Sequence, residues 1–167
     1  MVPQIKKILY ATDLSENSSY AFLYAIDMAN KHGAKVTILH AVEPIPGYAR
    51  GYLYDTDESK RKQHDETVES MKKYLETFCE KSAAETGLPC TEIVSKIIVT
   101  VGHPPEEILN TAAEEACDMI VMGCHSKGYL MHAFLGSVSS AVLHRTLKPV
   151  LTIPLPSEQA TTDLGEI

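Results

Sequence analysis

The stretch Val121–Val138, VMGCHSKGYLMHAFLGSV, places glycines and hydroxyl side chains ahead of an amphipathic segment, a pattern that suits phosphate binding. Gly136 and Ser137 stand directly before that segment. The first N–H groups of a helix lack intrahelical partners and carry partial positive charge, so an anion placed there is stabilised. Glycine lets the backbone approach a phosphate closely, and the Ser137 hydroxyl can donate a hydrogen bond. The same residues also fit a turn that begins a helix without any ligand. The loop alone does not decide between phosphate binding and a plain helix start.

The loop matches neither of the two best-known phosphate-binding patterns. Gly123 and Gly128 have the G-x-x-x-x-G spacing of a Walker A loop, but Tyr129 and Leu130 occupy its Lys and Ser/Thr positions. Lys127 precedes the second glycine. A dinucleotide-binding fingerprint is also excluded, because no glycine-rich turn follows the first apolar segment.

A carboxylate in another part of the chain adds weight to nucleotide binding. Asp13 follows the apolar segment KKILYAT, and a carboxylate at the end of a strand can accept hydrogen bonds from ribose hydroxyls. The alternative is that Asp13 caps the first helix.

The apolar patterning predicts the elements that must position these residues. Strands are predicted in KKILYATD, KVTILHAV, TEIVSKIIVTVG, CDMIVMG and KPVLTIP. Helices are predicted in ENSSYAFLYAIDMANKHG, in Glu58–Thr86, in HPPEEILNTAAEEA and in GSVSSAVLHRTL, with Gly33 and Gly87 ending the first two. This β-α alternation predicts a parallel sheet with helices on both faces. Ligands of such sheets bind beyond the carboxyl ends of the strands, where the winding direction reverses.

Composition excludes several classes of protein. The 167 residues carry a formal net charge of −7, whereas nucleic-acid binders normally present a basic face. No apolar run approaches the roughly 20 residues of a membrane span, so we expect a cytoplasmic protein with no membrane partner. The four cysteines have no CxxC spacing, and we expect reduced thiols and no metal site. We predict one domain over residues 1–155 and a polar tail over 156–167.

These pieces together resemble the universal stress protein family. The loop is similar to the family's nucleotide loop G-x-x-G-x9-G-[ST], with Gly123, then Ser126, then Gly136 and Ser137. KKILYATDLSENSSYAFLYAIDMA resembles the family's opening strand and helix, VTILHAVEP its second strand, and KPVLTIP its closing strand. The resemblance covers nearly the whole chain.

The resemblance implies an α/β fold: a single-domain, Rossmann-like three-layer sandwich of the adenine nucleotide alpha hydrolase-like type. Its five-stranded parallel sheet has the order 3-2-1-4-5. In ATP-binding members adenine lies against the ends of strands 1 and 2, and a carboxylate matching Asp13 reaches the ribose. The resemblance thus implies ATP, with Mg²⁺ as an optional companion, as the ligand of the following residues: Ala11, Asp13, Ala41, Val42, Met122, Gly123, Ser126, Gly136, Ser137 and Val138. Gly128 is retained with this set as a further loop glycine.

One position departs from the family pattern. Ser126 stands where the second glycine of the loop is expected. A left-handed backbone there would cost about 1–3 kcal/mol with serine. In an ordinary conformation, Ser126 could instead donate its hydroxyl to a phosphate.

The last strand suggests how the chain assembles. Strand 5 is expected at a sheet edge, and its segment Val150–Ile153 is apolar and β-prone. An exposed edge of this kind invites pairing with another chain, and a two-fold partner can close it. We therefore expect a homodimer through this strand, as the family resemblance also implies.

Several functions follow from these features. The first is a nucleotide-dependent stress-response or regulatory protein that binds ATP. The second is a slow ATPase, since His125 and Lys127 are the candidates for chemistry in the loop but make no catalytic constellation by themselves. The third is an interaction module of the same fold that binds no nucleotide, which the Ser126 departure favours. A phospho-acceptor receiver domain is excluded, because Lys148 precedes strand 5 instead of following it.

Overall fold

Strands and helices alternate along the chain in the computed structural model, which describes residues 1–15, 18–44, 57–125 and 135–155. The strands are β1 (Lys7–Ala11), β2 (Lys35–Val42), β3 (Val94–Val101), β4 (Met119–His125) and β5 (Val150–Leu155). The helices are α1 (Ser18–His32), α2 (Asp57–Thr86), α3 (Cys90–Ile93), α4 (Pro104–Glu114) and α5 (Ser137–Arg145).

The five strands form one parallel sheet in the order β3-β2-β1-β4-β5. Tyr10 of β1 pairs with Ile38 of β2 on one side and with Val121 of β4 on the other. The predicted fold class and strand order are confirmed. The winding direction reverses between β1 and β4, so this is the place where the carboxyl edge of the sheet is expected to open for a ligand.

Side-chain alternation in β1 divides the core into two layers. Ile8 and Tyr10 point into a cluster that also contains buried residues of α1 and α2. Leu9 and Ala11 point to the opposite face, into a cluster completed by α4 and α5. The sheet is therefore covered by helices on both faces, and β1 is buried between them.

The start of β3 differs from the prediction. Thr91 to Ile93 was expected to be extended, but Cys90–Ile93 forms the short helix α3. The carbonyl of Pro89 accepts hydrogen bonds from the N–H groups of Glu92 and Ile93. Cys90 and Ile93, three residues apart, are both buried in the core, a spacing that one helical turn satisfies and an extended strand does not.

Two glycines end helices as predicted. Gly33 after α1 has a φ of 62°, and Gly87 after α2 has a φ of 70°. These left-handed values close the last turn, and the Gly87 N–H donates back to the carbonyl of Ala83. Within the described ranges, no helix combines the length and the apolar character needed to cross a membrane.

Candidate functional site

Three strand ends meet at the carboxyl edge of the sheet. β1 ends in Ala11, and the chain continues through Thr12 to Asp13; the N–H of Thr12 donates to the carbonyl of Leu39 in β2. On the other side of β1, Ala11 pairs with Met122 of β4. The ends of β1, β2 and β4 are thus fixed side by side at the reversal point.

The turn after β1 presents the Asp13 carboxylate. Oδ1 of Asp13 accepts a hydrogen bond of 2.9 Å from the N–H of Ser15, and Oγ1 of Thr12 accepts one of 3.1 Å from the N–H of Leu14. Helix α1 begins only at Ser18. The Asp13 side chain therefore stabilises a local turn, and the carboxylate is exposed at the edge of the sheet.

A histidine from β2 contacts the same turn. Nδ1 of His40 lies 2.9 Å from the carbonyl oxygen of Thr12. Because a carbonyl oxygen only accepts, Nδ1 carries the proton in this contact. His40 is half-buried, so its side chain joins the end of β2 to the turn that holds Asp13.

Helix α5 points its first turn at the same edge. Gly136 is the N-cap residue, and no side chain of the described residues caps the helix. The first intrahelical bond runs from the N–H of Ser140 to the carbonyl of Gly136, at 2.9 Å, so the N–H groups before Ser140 stand at the positive end of the helix dipole. The buried hydroxyl of Ser139 donates to the carbonyl of Gly123 at 3.3 Å, which ties the start of α5 to β4.

These elements enclose a cavity of about 380 Å³, within the range of small-molecule sites. One part of the lining is apolar and another part carries carboxylates and hydroxyls. The lining residues are Ala11, Thr12, Asp13, Ser18, Leu39, His40, Ala41, Glu43, Pro104, Ile108, Met122, Gly123, Gly136, Ser137, Val138 and Ser139.

The model of the universal stress protein family matches residues 4–154. The chain belongs to the universal stress protein family.

Curated universal stress proteins are similar over nearly their whole length. One from Thermus aquaticus is 32% identical over 148 residues, which are 89% of this chain and 98% of that protein. One from Methanocaldococcus jannaschii is 30% identical over 159 residues, which are 89% of this chain and 94% of the relative.

Solved structures of the family share the fold. The structure of the Methanocaldococcus jannaschii protein superposes with a TM-score of 0.69 at 26% identity, over 93% of this chain and 100% of that one. A universal stress protein in complex with cAMP has a TM-score of 0.59 at 19% identity, over 92% and 100% of the two chains. One from Archaeoglobus fulgidus in complex with dAMP has a TM-score of 0.51 at 22% identity, over 90% and 98%.

Most of the candidate residues lie together in this universal stress protein. The cavity is lined by the following members of the predicted set: Ala11, Asp13, Ala41, Met122, Gly123, Gly136, Ser137 and Val138. Val42 is not among the lining residues and packs against the core on the α1 and α2 side. Ser126 and Gly128 lie outside the described residues, as does the polar tail.

Sequence reasoning missed several lining residues. Leu39 could have been found, because it stands two residues before Ala41 and shares its face of β2. Ile108 and Pro104 reach the cavity only because α4 packs over the end of the sheet, which depends on tertiary contacts. Ser139 and His40 donate hydrogen bonds to backbone carbonyls that are distant in sequence. No local sequence pattern predicts such bonds.

Proposed function

We propose that this universal stress protein binds an adenine nucleotide, such as ATP, in the cavity at the carboxyl edge of the sheet. Bound nucleotide would make it a nucleotide-dependent regulator in a stress response. The observation that carries the proposal is that an apolar wall, a carboxylate and the N-terminus of α5 converge in one cavity at the reversal point. No side chain in the described part of the chain caps that N-terminus. Each of the three features suits one part of a nucleotide.

The apolar wall suits the base. Ala11, Leu39 and Ala41 come from adjacent strands, and Ile108 and Met122 lie against the same space. All but the half-buried Ala41 are buried. A flat purine placed between small strand side chains and branched helix side chains would remove apolar surface from water, which contributes about 25 cal/mol per Å².

The polar side suits the ribose and phosphates. The Asp13 carboxylate can accept hydrogen bonds from ribose hydroxyls, and bonds to a charged acceptor are stronger than neutral ones. The first N–H groups of α5 and the exposed Ser137 hydroxyl are donors for phosphate oxygens. Ser126 and Gly128 belong to the proposed site through the family motif.

Mg²⁺ fits this site as a companion of the nucleotide. The described residues contain no group of three or more His, Cys, Asp or Glu side chains that could hold a metal ion alone. Asp13 and Glu43 both line the cavity, and Mg²⁺ is usually held by one or two carboxylates together with substrate phosphates. When bound, the ion would neutralise phosphate charge that otherwise faces these two carboxylates.

The solved relatives support adenine nucleotides as the ligand class. Two proteins of this fold were crystallised with cAMP and with dAMP. At 19% and 22% identity the likeness is one of fold, so these complexes support the class of ligand and not its exact member.

Isothermal titration with ATP, ADP and AMP, each with and without Mg²⁺, tests the proposal. We expect saturable heat with at least one of them, and loss of that heat in Ala41→Leu, whose larger side chain would occupy the base pocket. Ala113→Leu, at an exposed position of α4, is the matched control and should bind as the parent does. The absence of heat for every nucleotide with the parent protein would refute adenylate binding.

We further propose that the protein is a homodimer through the edge formed by Val150–Ile153. β5 is the last strand of the sheet, and its outer backbone groups can pair with a second copy. Light scattering at micromolar concentration should give twice the mass of one chain, and a monomer mass would overturn the assembly without affecting nucleotide binding.

A further inference from the structure

His40 makes a hydrogen bond that does not depend on its charge. Nδ1 donates to the carbonyl of Thr12 at 2.9 Å. Both ring nitrogens carry protons in the charged form, and this contact requires the Nδ1 proton in the neutral form as well. The bond therefore persists in both forms, and the ring is fixed as the Nδ1–H tautomer when neutral.

The turn that receives this bond has an unfavourable backbone. Leu14 has a φ of 62°, a left-handed conformation that residues with a side chain seldom adopt. Such a conformation persists only where the surroundings hold it. The hydrogen bonds of Thr12 and Asp13 to Leu14 and Ser15 are local to the turn.

Two hydrogen bonds from β2 hold the backbone N–H and the backbone carbonyl of Thr12. The carbonyl of Leu39 accepts from the Thr12 N–H at 2.9 Å, and Nδ1 of His40 donates to the Thr12 carbonyl. The Thr12 carbonyl belongs to the peptide group that leads into Asp13. Fixing that peptide plane fixes the direction in which Asp13 leaves the sheet, beside the cavity that both residues line.

We propose that His40 is a positioning residue for nucleotide binding, acting through the Thr12 carbonyl to hold the Asp13 carboxylate at the ribose position. This inference rests on the proposed function, since the affinity that His40 supports is that for an adenine nucleotide. His40 need not touch the ligand for this role. Its Nδ1–H is the required group, and the rest of the imidazole is replaceable.

Asparagine and glutamine variants test whether the Nδ1–H group of His40 is the part that matters. An asparagine amide nitrogen sits one bond from Cγ, as Nδ1 does, whereas a glutamine amide nitrogen sits near the place of Nε2. We expect His40→Gln and His40→Ala to bind ATP about tenfold more weakly, the effect of losing one hydrogen bond. His40→Asn should recover most of the affinity. Equal affinity for all three variants and the parent, or a His40→Asn variant as weak as His40→Ala, would overturn the proposal.

A double-mutant cycle with Asp13 separates positioning from general stability. If His40 acts through Asp13, His40→Ala should weaken ATP binding in the parent but not further in Asp13→Ala. Additive losses would show that His40 acts independently of the carboxylate and would overturn the proposal. The titrations should be run well below the melting temperature of every variant, so that a loss of stability does not reduce the fraction of folded protein.

The tautomer of His40 can be measured without any nucleotide. Long-range ¹H–¹⁵N correlation spectra of the neutral ring should show the proton on Nδ1. A proton on Nε2 would overturn the proposal even if ATP binds. Conversely, a parent protein that has the Nδ1–H tautomer but binds no adenylate would refute the proposed function and leave the His40 contact established.

Discussion

At Gly136 the backbone has a φ of −55° and a ψ of 162°, values open to any residue. A methyl group placed there would meet no heavy atom of the described residues within 4 Å. The described part of the fold therefore does not require glycine at this position, although Gly136 lines the cavity and is the N-cap residue of α5. Under the proposed function, the space beside its Cα would let a phosphate approach closely.

Gly136→Ala should separate binding from stability. We expect the free energy of unfolding to stay level or to rise by about 0.4–1 kcal/mol, because alanine restricts the unfolded chain at a compatible position. Affinity for ATP should fall about tenfold, because the methyl group would hold the phosphate away from the first N–H groups of α5. Urea unfolding and calorimetric titration measure the two quantities.

Gly33→Ala is the control, because it should lower stability without changing ATP affinity. Its φ of 62° makes a side chain strained, so unfolding should become easier by about 1 kcal/mol while ATP affinity is unchanged. A Gly136→Ala protein that binds ATP as tightly as the parent would contradict the phosphate role of this residue.

Among the elements, β4 and α5 are joined at the mouth of the loop by Ser139. Its buried hydroxyl donates to the carbonyl of Gly123. Ser139→Ala would remove the hydrogen bond to the Gly123 carbonyl, which should lower the free energy of unfolding by about 1 kcal/mol. It should also weaken ATP binding, because this bond no longer joins the start of α5 to β4.

Ser140→Ala is the matched control for this change. It makes the same substitution one position along the same helix, where no described side-chain bond is lost. Chemical unfolding of both variants gives the comparison. Equal stabilities for the two variants would show that the bond of Ser139 contributes nothing.

A second tie joins β1 to the start of α1 and makes stability depend on pH. The hydroxyl of Tyr10 donates to the carbonyl of Ser18 at 2.6 Å. Burial raises the pKa of Tyr10 from 10.0 to about 12, and hydrogen bonds with Thr12 and Ser18 oppose this rise only in part. The folded state therefore holds the phenol proton more tightly than the unfolded state, and this stabilisation is complete below pH 10 and is lost as pH rises towards 12.

Tyr10→Phe tests this linkage. At pH 8 the variant should be less stable by about 1 kcal/mol, because the Ser18 carbonyl loses its donor. The gap should close as pH rises above 10, since the parent then loses up to about 1.4 kcal/mol per pH unit while phenylalanine does not titrate. Cys79, whose pKa burial raises to about 12, titrates in both proteins. A gap that stays constant to pH 11 would contradict the raised pKa of Tyr10.

At the scale of the whole molecule, the outer edge of β5, which pairs with no described strand, has a defined set of outward-facing backbone groups. The carbonyl of Pro149 accepts from the N–H of Ile120, so in a parallel ladder the alternate residues Leu151 and Ile153 also face β4. Val150, Thr152 and Pro154 then direct their backbone groups outwards. Since proline has no N–H, the outward donors of this strand are those of Val150 and Thr152.

Thr152→Pro should convert the proposed dimer to a monomer. It removes an outward donor and leaves the ladder with β4 in place, as proline is tolerated on edge strands. Thr152→Val keeps the N–H and should remain dimeric. Light scattering at micromolar concentration separates the two outcomes, and a Thr152→Pro dimer would show that the copies meet through another surface.

The sequence predicts the fold well because its signals are local and repeated. Alternating apolar strands and helices, with glycines such as Gly33 and Gly87 at helix ends, determine the element order, and the family resemblance implies the strand order. The candidate site is predicted where a residue follows a strand or precedes a helix, as Asp13 and Gly136 do. Val42 stays a prediction that the cavity lining does not include. The contributions of His40, Ser139 and Ile108 arise from packing between elements distant in sequence.

An NMR titration of backbone amides with ATP and Mg²⁺ tests most directly whether a nucleotide occupies this cavity. The largest shifts should fall on Thr12, Asp13, Gly123 and Ser137, with Asn30, in the last turn of α1, unchanged. His40→Gln should reduce the apparent affinity at the same amides without changing which ones shift. Shifts confined to other surfaces, or no shifts at millimolar ATP, would contradict nucleotide binding at the carboxyl edge of the sheet.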